Sequence, residues 1–238
     1  MQITFRCDPA LIDVLPRPIP ARQALPEWLR AMPTKAFSEL HGRDIRTVKQ
    51  CPPFVDAMSH GFMILLPCDV RVDHGRFAWD WAQPPLTVEH HPRAPLSFHV
   101  PEQLRGAPFH DGRSAALKFN SFWTIELEPG WSLLVTHPVN RDDLPFRLLT
   151  GLVDADRFTD AGINFPAIWA RPDYCGVLQK GTPIAQCFVV PRDRLELVCE
   201  PLSTERARRY TRLVAEVMDT PGVYRRLFRV KRGGSGRE

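Results

Sequence analysis

Several common signatures are missing from this 238-residue chain. It contains no Gly-x-Gly-x-x-Gly, no P-loop and no Gly-x-Ser-x-Gly. That sets aside Rossmann dinucleotide binding, P-loop nucleotide chemistry and the nucleophile-elbow hydrolases. Its six cysteines, Cys7, Cys51, Cys68, Cys175, Cys187 and Cys199, form no Cys-x-x-Cys pair. Neither a zinc module nor a dithiol redox centre is indicated, and the thiols read as reduced and partly buried in a cytoplasmic protein. No run approaches the ~20 apolar residues of a membrane span. Met1 to Asp8 lacks the apolar stretch of a signal peptide. No membrane partner is expected. Charge of one sign is also scarce outside the C-terminal end: the net charge of +4 is concentrated there, and the remainder is close to neutral or slightly acidic. A nucleic-acid surface needs a broad basic face, which this pattern does not supply.

What is present is proline and short apolar runs. The 24 prolines are scattered rather than repeated, and 44% of the residues are hydrophobic. Scattered prolines suit strand ends and irregular connections, and make an all-helical fold unsuitable. Strands are predicted over 2–7, 62–66, 69–73, 76–81, 115–119, 122–127, 133–136, 168–170 and 184–190, with Asp73-His74-Gly75 as a hairpin turn. Pro53 to Met58 reads as a helical turn. Leu15 to Met32 reads as an extended arm ending in a short helix, with Trp28 plugging it onto the body. One long helix is expected after a Ser203 or Thr204 cap, with Ala207, Tyr210, Val214, Val217 and Met218 on one face, stopped by Pro221 and Gly222. The expected fold is mainly β, a single barrel or sandwich with an extended N-terminal arm and a C-terminal α-helix. Its expected division is an arm at 1–46, a β-rich core at 47–200, a helical segment at 201–232 and a disordered tail at 233–238.

Polar residues gather in two turns. Asp154 and Asp156 flank Ala155 after a strand, where two carboxylates could hold a hard cation such as Mg²⁺ or orient a hydrolytic water. They equally suit a turn by bonding their own backbone. His137, Asn140, Arg141, Asp142 and Asp143 form the densest polar loop, pinned by Pro138 and Pro145. There Arg141 could grip phosphate or carboxylate, and His137 could act as acid, base or ligand. An iron site would need two histidines and a carboxylate. Eight histidines occur, but the His-x-Asp strand signature does not: His110-Asp111 is adjacent, and Glu102 follows His99 at the wrong spacing.

Two resemblances rest on these residues. The Pro20-Ala21…Leu25-Pro26-Glu27-Trp28 segment, the Cys51-Pro-Pro-Phe54-Val-Asp56-Ala-Met58 segment and the block Pro129 to Asn140 resemble an uncharacterised family of bacterial and phage proteins, over nearly the whole chain. That resemblance implies no activity. Residues 128–191 also resemble the β-core of the dUTPase and dCTP deaminase superfamily, through Pro129-Gly130-Trp131, Gly151-Leu-Val-Asp154-Ala-Asp156 and Gly181-Thr-Pro-Ile184-Ala185-Gln186. The Arg-Ser-x-Gly phosphate loop of that superfamily is not matched at Thr136 to Arg141, Phe158 stands in place of its tyrosine, and 232–236 lacks the aromatic of its Gly-rich segment.

The second resemblance implies a nucleotide-type ligand and a homo-oligomer, and the carboxylate pair adds Mg²⁺ as a cofactor. Together these give an expected site for a phosphate- or carboxylate-bearing small molecule, such as a nucleotide, in a cleft near 136–156. Asp154 and His137 would be catalytic, Asn140, Arg141, Asp156 and Gln186 would bind ligand, and Asp154 and Asp156 would hold metal. A structural or accessory protein keeping only the fold, or an iron-dependent oxygenase, stay open as alternatives. The arm is expected to dock on a neighbouring copy. The basic run Arg225, Arg226, Arg229, Lys231 and Arg232 allows weak nucleic-acid contact.

Overall fold

Alternation of apolar and polar residues sets the strands. In Val70–Asp73 the two valines are buried and Arg71 and Asp73 face outward, as a half-buried strand requires. The computed structural model describes residues 1–109 and 115–230. In chain order it has β1 (Thr4–Arg6), β2 (Ile19–Pro20), α1 (Glu27–Ala31), β3 (Lys35–Ser38), β4 (Arg43–Arg46), α2 (Pro52–Ser59), β5 (Phe62–Leu65), β6 (Val70–Asp73), β7 (Arg76–Ala78) and β8 (Leu96–Phe98). These are followed by β9 (Ala116–Phe119), β10 (Thr124–Glu126), β11 (Trp131–Thr136), β12 (Phe146–Leu148), β13 (Gly151–Val153), β14 (Phe165–Trp169), β15 (Cys175–Leu178), β16 (Pro183–Pro191) and α3 (Thr204–Asp219).

The protein is mainly β. Its sheets are open, not barrels: β13-β11-β16-β5-β2, β12-β14-β9-β8, β15-β6-β7, and the pairs β1-β10 and β3-β4. All pairings are antiparallel. Leu133, Ile184 and Cys187 from one large sheet and Phe119, Phe165 and Trp169 from the other fill one core, an arrangement of sandwich type. The β6–β7 hairpin turns at His74 and Gly75, both with positive φ (47° and 78°), as a two-residue turn of the primed type demands.

The chain folds as two units. Unit 1 comprises Met1–Met32 and Asp56–Asp193, and unit 2 comprises Pro33–Val55 with the residues from Arg194 onward. These bounds differ from a contiguous division at 46 and 200. The physical reason lies in pairing: β1 bonds to β10, and β2 to β5, so the N-terminal segment belongs to the sheets of unit 1. The expected arm therefore does not reach outward. Leu15, Ala21 and Leu29 are buried within unit 1, and Trp28 Nε1 donates to Asp143 at 3.3 Å.

Within unit 2, Ser203 caps α3 by accepting from the Arg206 amide at 3.2 Å. α3 buries none of its residues, and Val223 is the one buried residue among those described in this unit. After Pro221 a short π-type turn spans Tyr224–Phe228. The expected disordered tail at 233–238, Lys231 and Arg232 of the basic run, and His110 and Asp111 all lie outside the described residues. No helix among the described residues is long and apolar enough to cross a membrane.

Candidate functional site

The six residues singled out in the sequence do not share one cleft. They fall at opposite ends of β11, because the register sets Trp131 opposite Pro191 at one end and Thr136 opposite Gln186 at the other. The five residue steps from Ser132 to His137 span roughly 17 Å of extended chain.

At the first end stand Asp154 and Asp156. Gly130 adopts positive φ (89°), and its amide donates to Asp156 Oδ2 at 2.9 Å. Arg192, one step beyond β16, grips both oxygens of Asp156 through Nη1 and Nη2. Its Nη1 also lies 3.3 Å from Asp154 Oδ1, which accepts from the Ser132 hydroxyl at 2.7 Å. The Asp156 side chain is 5% exposed and that of Asp154 is 55% exposed. The Arg192 hydrogen bonds hold the Asp156 carboxyl well below the usual carboxylate range. Asp154 is lowered chiefly by Ser132, and Arg192 is raised by Asp156. A divalent cation needs these oxygens free. Here Arg192 and the Gly130 amide take both oxygens of Asp156, so the two carboxylates are not both free for a Mg²⁺ ion. Among the described residues no group of three or more His, Cys, Asp or Glu could hold a metal.

The second end is equally committed. Asn140 takes positive φ (58°) in a turn closed by the Arg141 amide on the Pro138 carbonyl at 3.2 Å. Arg141 donates through Nε and Nη2 to the two oxygens of Asp143, each at 2.8 Å, so its fork is filled and the Asp143 carboxyl lies below its ordinary range. His137 Nδ1 accepts from the Leu148 amide at 3.3 Å. That assigns the proton to Nε2, which donates to the Arg141 carbonyl at 3.1 Å. Burial pushes its pKa down, so the ring is a neutral brace between turn and β12. Gln186 is fully buried. Its Oε1 accepts from the Val139 amide at 2.9 Å, and its Nε2 donates to the Ala57 and His60 carbonyls at 2.9 and 2.8 Å. Both amide protons are spent inside, which removes Gln186 from any ligand surface.

A different concavity was not singled out by the sequence. A groove of about 830 Å³ runs along the ends of β1 and β10, with Arg6, Glu89, His91, Trp123, Glu126 and Asp160 on its walls. Asp8 builds it. This buried carboxylate accepts from the Ala10, Thr87 and Val88 amides at 2.9, 2.8 and 2.8 Å, which tie the 87–91 loop to β1. The Val88 bond contributes most to lowering its pKa. Ser121 pins the opposite wall, donating to the Trp123 carbonyl at 2.7 Å and accepting its amide at 3.2 Å. Phe122 packs between the Trp81 and His91 rings, at 4.8 and 5.3 Å. Arg6 is paired with Glu126. Glu89 and Asp160 are exposed and make no ion pair among the described residues, so the groove is net acidic. The Asp8-Pro9-Ala10 string could have signalled a local cap. Its reach to residue 87 has no sequence signature.

No known protein-family profile and no curated protein matches the chain. Among solved structures it is similar to a point mutant of the dUTPase from phage phi11 of S. aureus, described with a structural Mg(II) ion. The match has 13% identity and a TM-score of 0.29, and covers 39% of this chain and 75% of that one.

Proposed function

We propose that this protein binds a small, neutral or cationic molecule bearing a flat ring, in the groove walled by Asp8, Glu89, His91, Trp123 and Asp160. One observation carries the reading. The arginines of the two sequence-marked turns, Arg141 and Arg192, are each held in a fork by their own carboxylates, while the groove keeps two carboxylates without ion-pair partners. Burying an unpaired charge is costly, so an acidic groove selects against polyphosphate and for amines, amides and hydroxyls. A nucleotide enters this reading through its base and sugar rather than its phosphates. The core at 128–191 then serves as scaffold, and no chemical step is assigned to it.

Isothermal titration with nucleosides and aromatic amines, against nucleoside triphosphates with and without Mg²⁺, tests this. Nucleoside or amine binding that weakens at least tenfold in the Glu89→Gln, Asp160→Asn double variant is expected. Tighter triphosphate binding that survives this double variant and is lost in Arg192→Gln would overturn it.

A further inference from the structure

Unit 2 exposes more apolar surface than its single buried residue can account for. Phe37, Leu195 and Leu197 are 67%, 82% and 88% exposed. Two of its elements are incomplete in complementary ways. The β3–β4 hairpin stands alone, with both outer edges unpaired among the described residues. A lone two-stranded hairpin is marginal in water, and an open edge is a template for another strand. The segment 193–202 forms neither helix nor strand, is exposed at every position, and makes no backbone–backbone hydrogen bond among the described residues. Yet its sequence alternates: Leu195, Leu197 and Cys199 on one side, Arg194, Glu196, Val198 and Glu200 on the other.

The faces match. Ala36 and Ile45 are paired on one face of the hairpin, and Lys35, Phe37, Asp44 and Arg46 lie on the other. The strands carry three cations against one carboxylate, whereas 194–200 carries two carboxylates against one arginine. Arg46 makes no ion pair among the described residues, and its guanidinium lies against Gly222.

We propose that residues 194–200 of a second copy of this chain add to the free edge of β4 as a third, antiparallel strand, and that the reciprocal exchange closes a dimer. Setting Leu197 opposite Ile45 fixes the direction. Antiparallel pairing then places Glu196 opposite Arg46 and Cys199 opposite Arg43. Parallel pairing would place Glu196 opposite Asp44, like charge on like. Reciprocity satisfies two edges at once and leaves no open end, as a closed two-fold assembly requires.

The register gives the test. In a Cys51→Ser, Cys175→Ser background, which removes two other exposed thiols, Arg43→Cys is oxidised and run on a non-reducing gel. A covalent dimer that disappears with Cys199→Ser is expected. A disulfide formed within one chain would mean that the strand adds in cis and would overturn the proposal. Light scattering of the otherwise unaltered chain supplies the second arm. A mass near twice 27.2 kDa is expected, falling in Glu196→Arg and in Arg46→Glu and restored when both are combined. A unit mass at the highest soluble concentration would overturn it.

Discussion

Replacing Gln186 by methionine tests how the two large segments flanking β16 are held. Methionine keeps the length and most of the volume of the side chain, so little cavity is expected. It removes one acceptor and two donors from a fully buried position. The Val139 amide, at the turn leading to Asn140, loses its partner. So do the Ala57 and His60 carbonyls at the C-terminal end of α2, where helix carbonyls have no partner inside the helix. Each stranded buried group costs about 1–3 kcal/mol, with carbonyls toward the lower end because they retain a second lone pair for relaxation. Removing the amide itself from an apolar site returns about 1 kcal/mol. The balance is a loss of about 3–5 kcal/mol, or roughly 6–20 °C in Tm at about 2–4 °C per kcal/mol for a domain of this size. Calorimetry and urea titration check it. Gln186→Glu should be at least as harmful near neutral pH, because a carboxylate would face two carbonyls. It should recover partly as acid protonates it. A Gln186→Met protein melting within about 2 °C of the parent would refute the accounting.

Three further outcomes follow from the same geometry. Asp156 has a lowered folded pKa, so its contribution is fully present above the ordinary carboxylate pKa of about 4 and is lost as pH falls through the folded value; acid titration of Asp156→Asn should show a shallower loss over that range, and an unchanged profile would exclude the Arg192 fork as its cause. His137 is also lowered, by burial, so its neutral form favours folding above about pH 6.5 and that advantage fades on acidification below it; His137→Gln should flatten stability against pH between 7 and 5, which urea midpoints at each pH will report. Gly61→Ala should lower Tm sharply, since φ is +74° and a Cβ would lie 2.0 Å from the Cys187 carbonyl oxygen; a melting point equal to the parent's would mean that β5 and β16 part more easily than their register indicates.

Much of the β framework was legible because burial imposes alternation. The β6–β7 hairpin with its His74-Gly75 turn carries that pattern, β5, β11 and β16 stand out instead as short apolar runs bounded by turns, and α3 carries its own cap and period. The β3–β4 hairpin was not legible: Lys35-Ala-Phe-Ser and Arg43-Asp-Ile-Arg bury almost nothing, so no apolar face marks them. The candidate site was legible in residue type but not in partnership. Asp154, Asp156, His137 and Arg141 do gather polar bonds, yet Arg192 reaches Asp156 only because β16 runs back along β11, 36 residues away in sequence. Register of that kind is a property of the whole sheet, and local chemistry cannot announce it.

The burial of Cys187 turns the protein into its own clock. This thiol sits wholly inside β16, and burial pushes its pKa far above the ordinary range, so the reactive thiolate is denied to it while the sheet is closed. Cys68, buried in the same core beside β6, is pushed up to about 11. Cys51, Cys175 and Cys199 are exposed and consume an alkylating reagent at once. The slow phase of labelling therefore counts openings of unit 1. Equal rates at Cys187 and Cys68 mean that its sheets part together, and unequal rates identify which one lets go first.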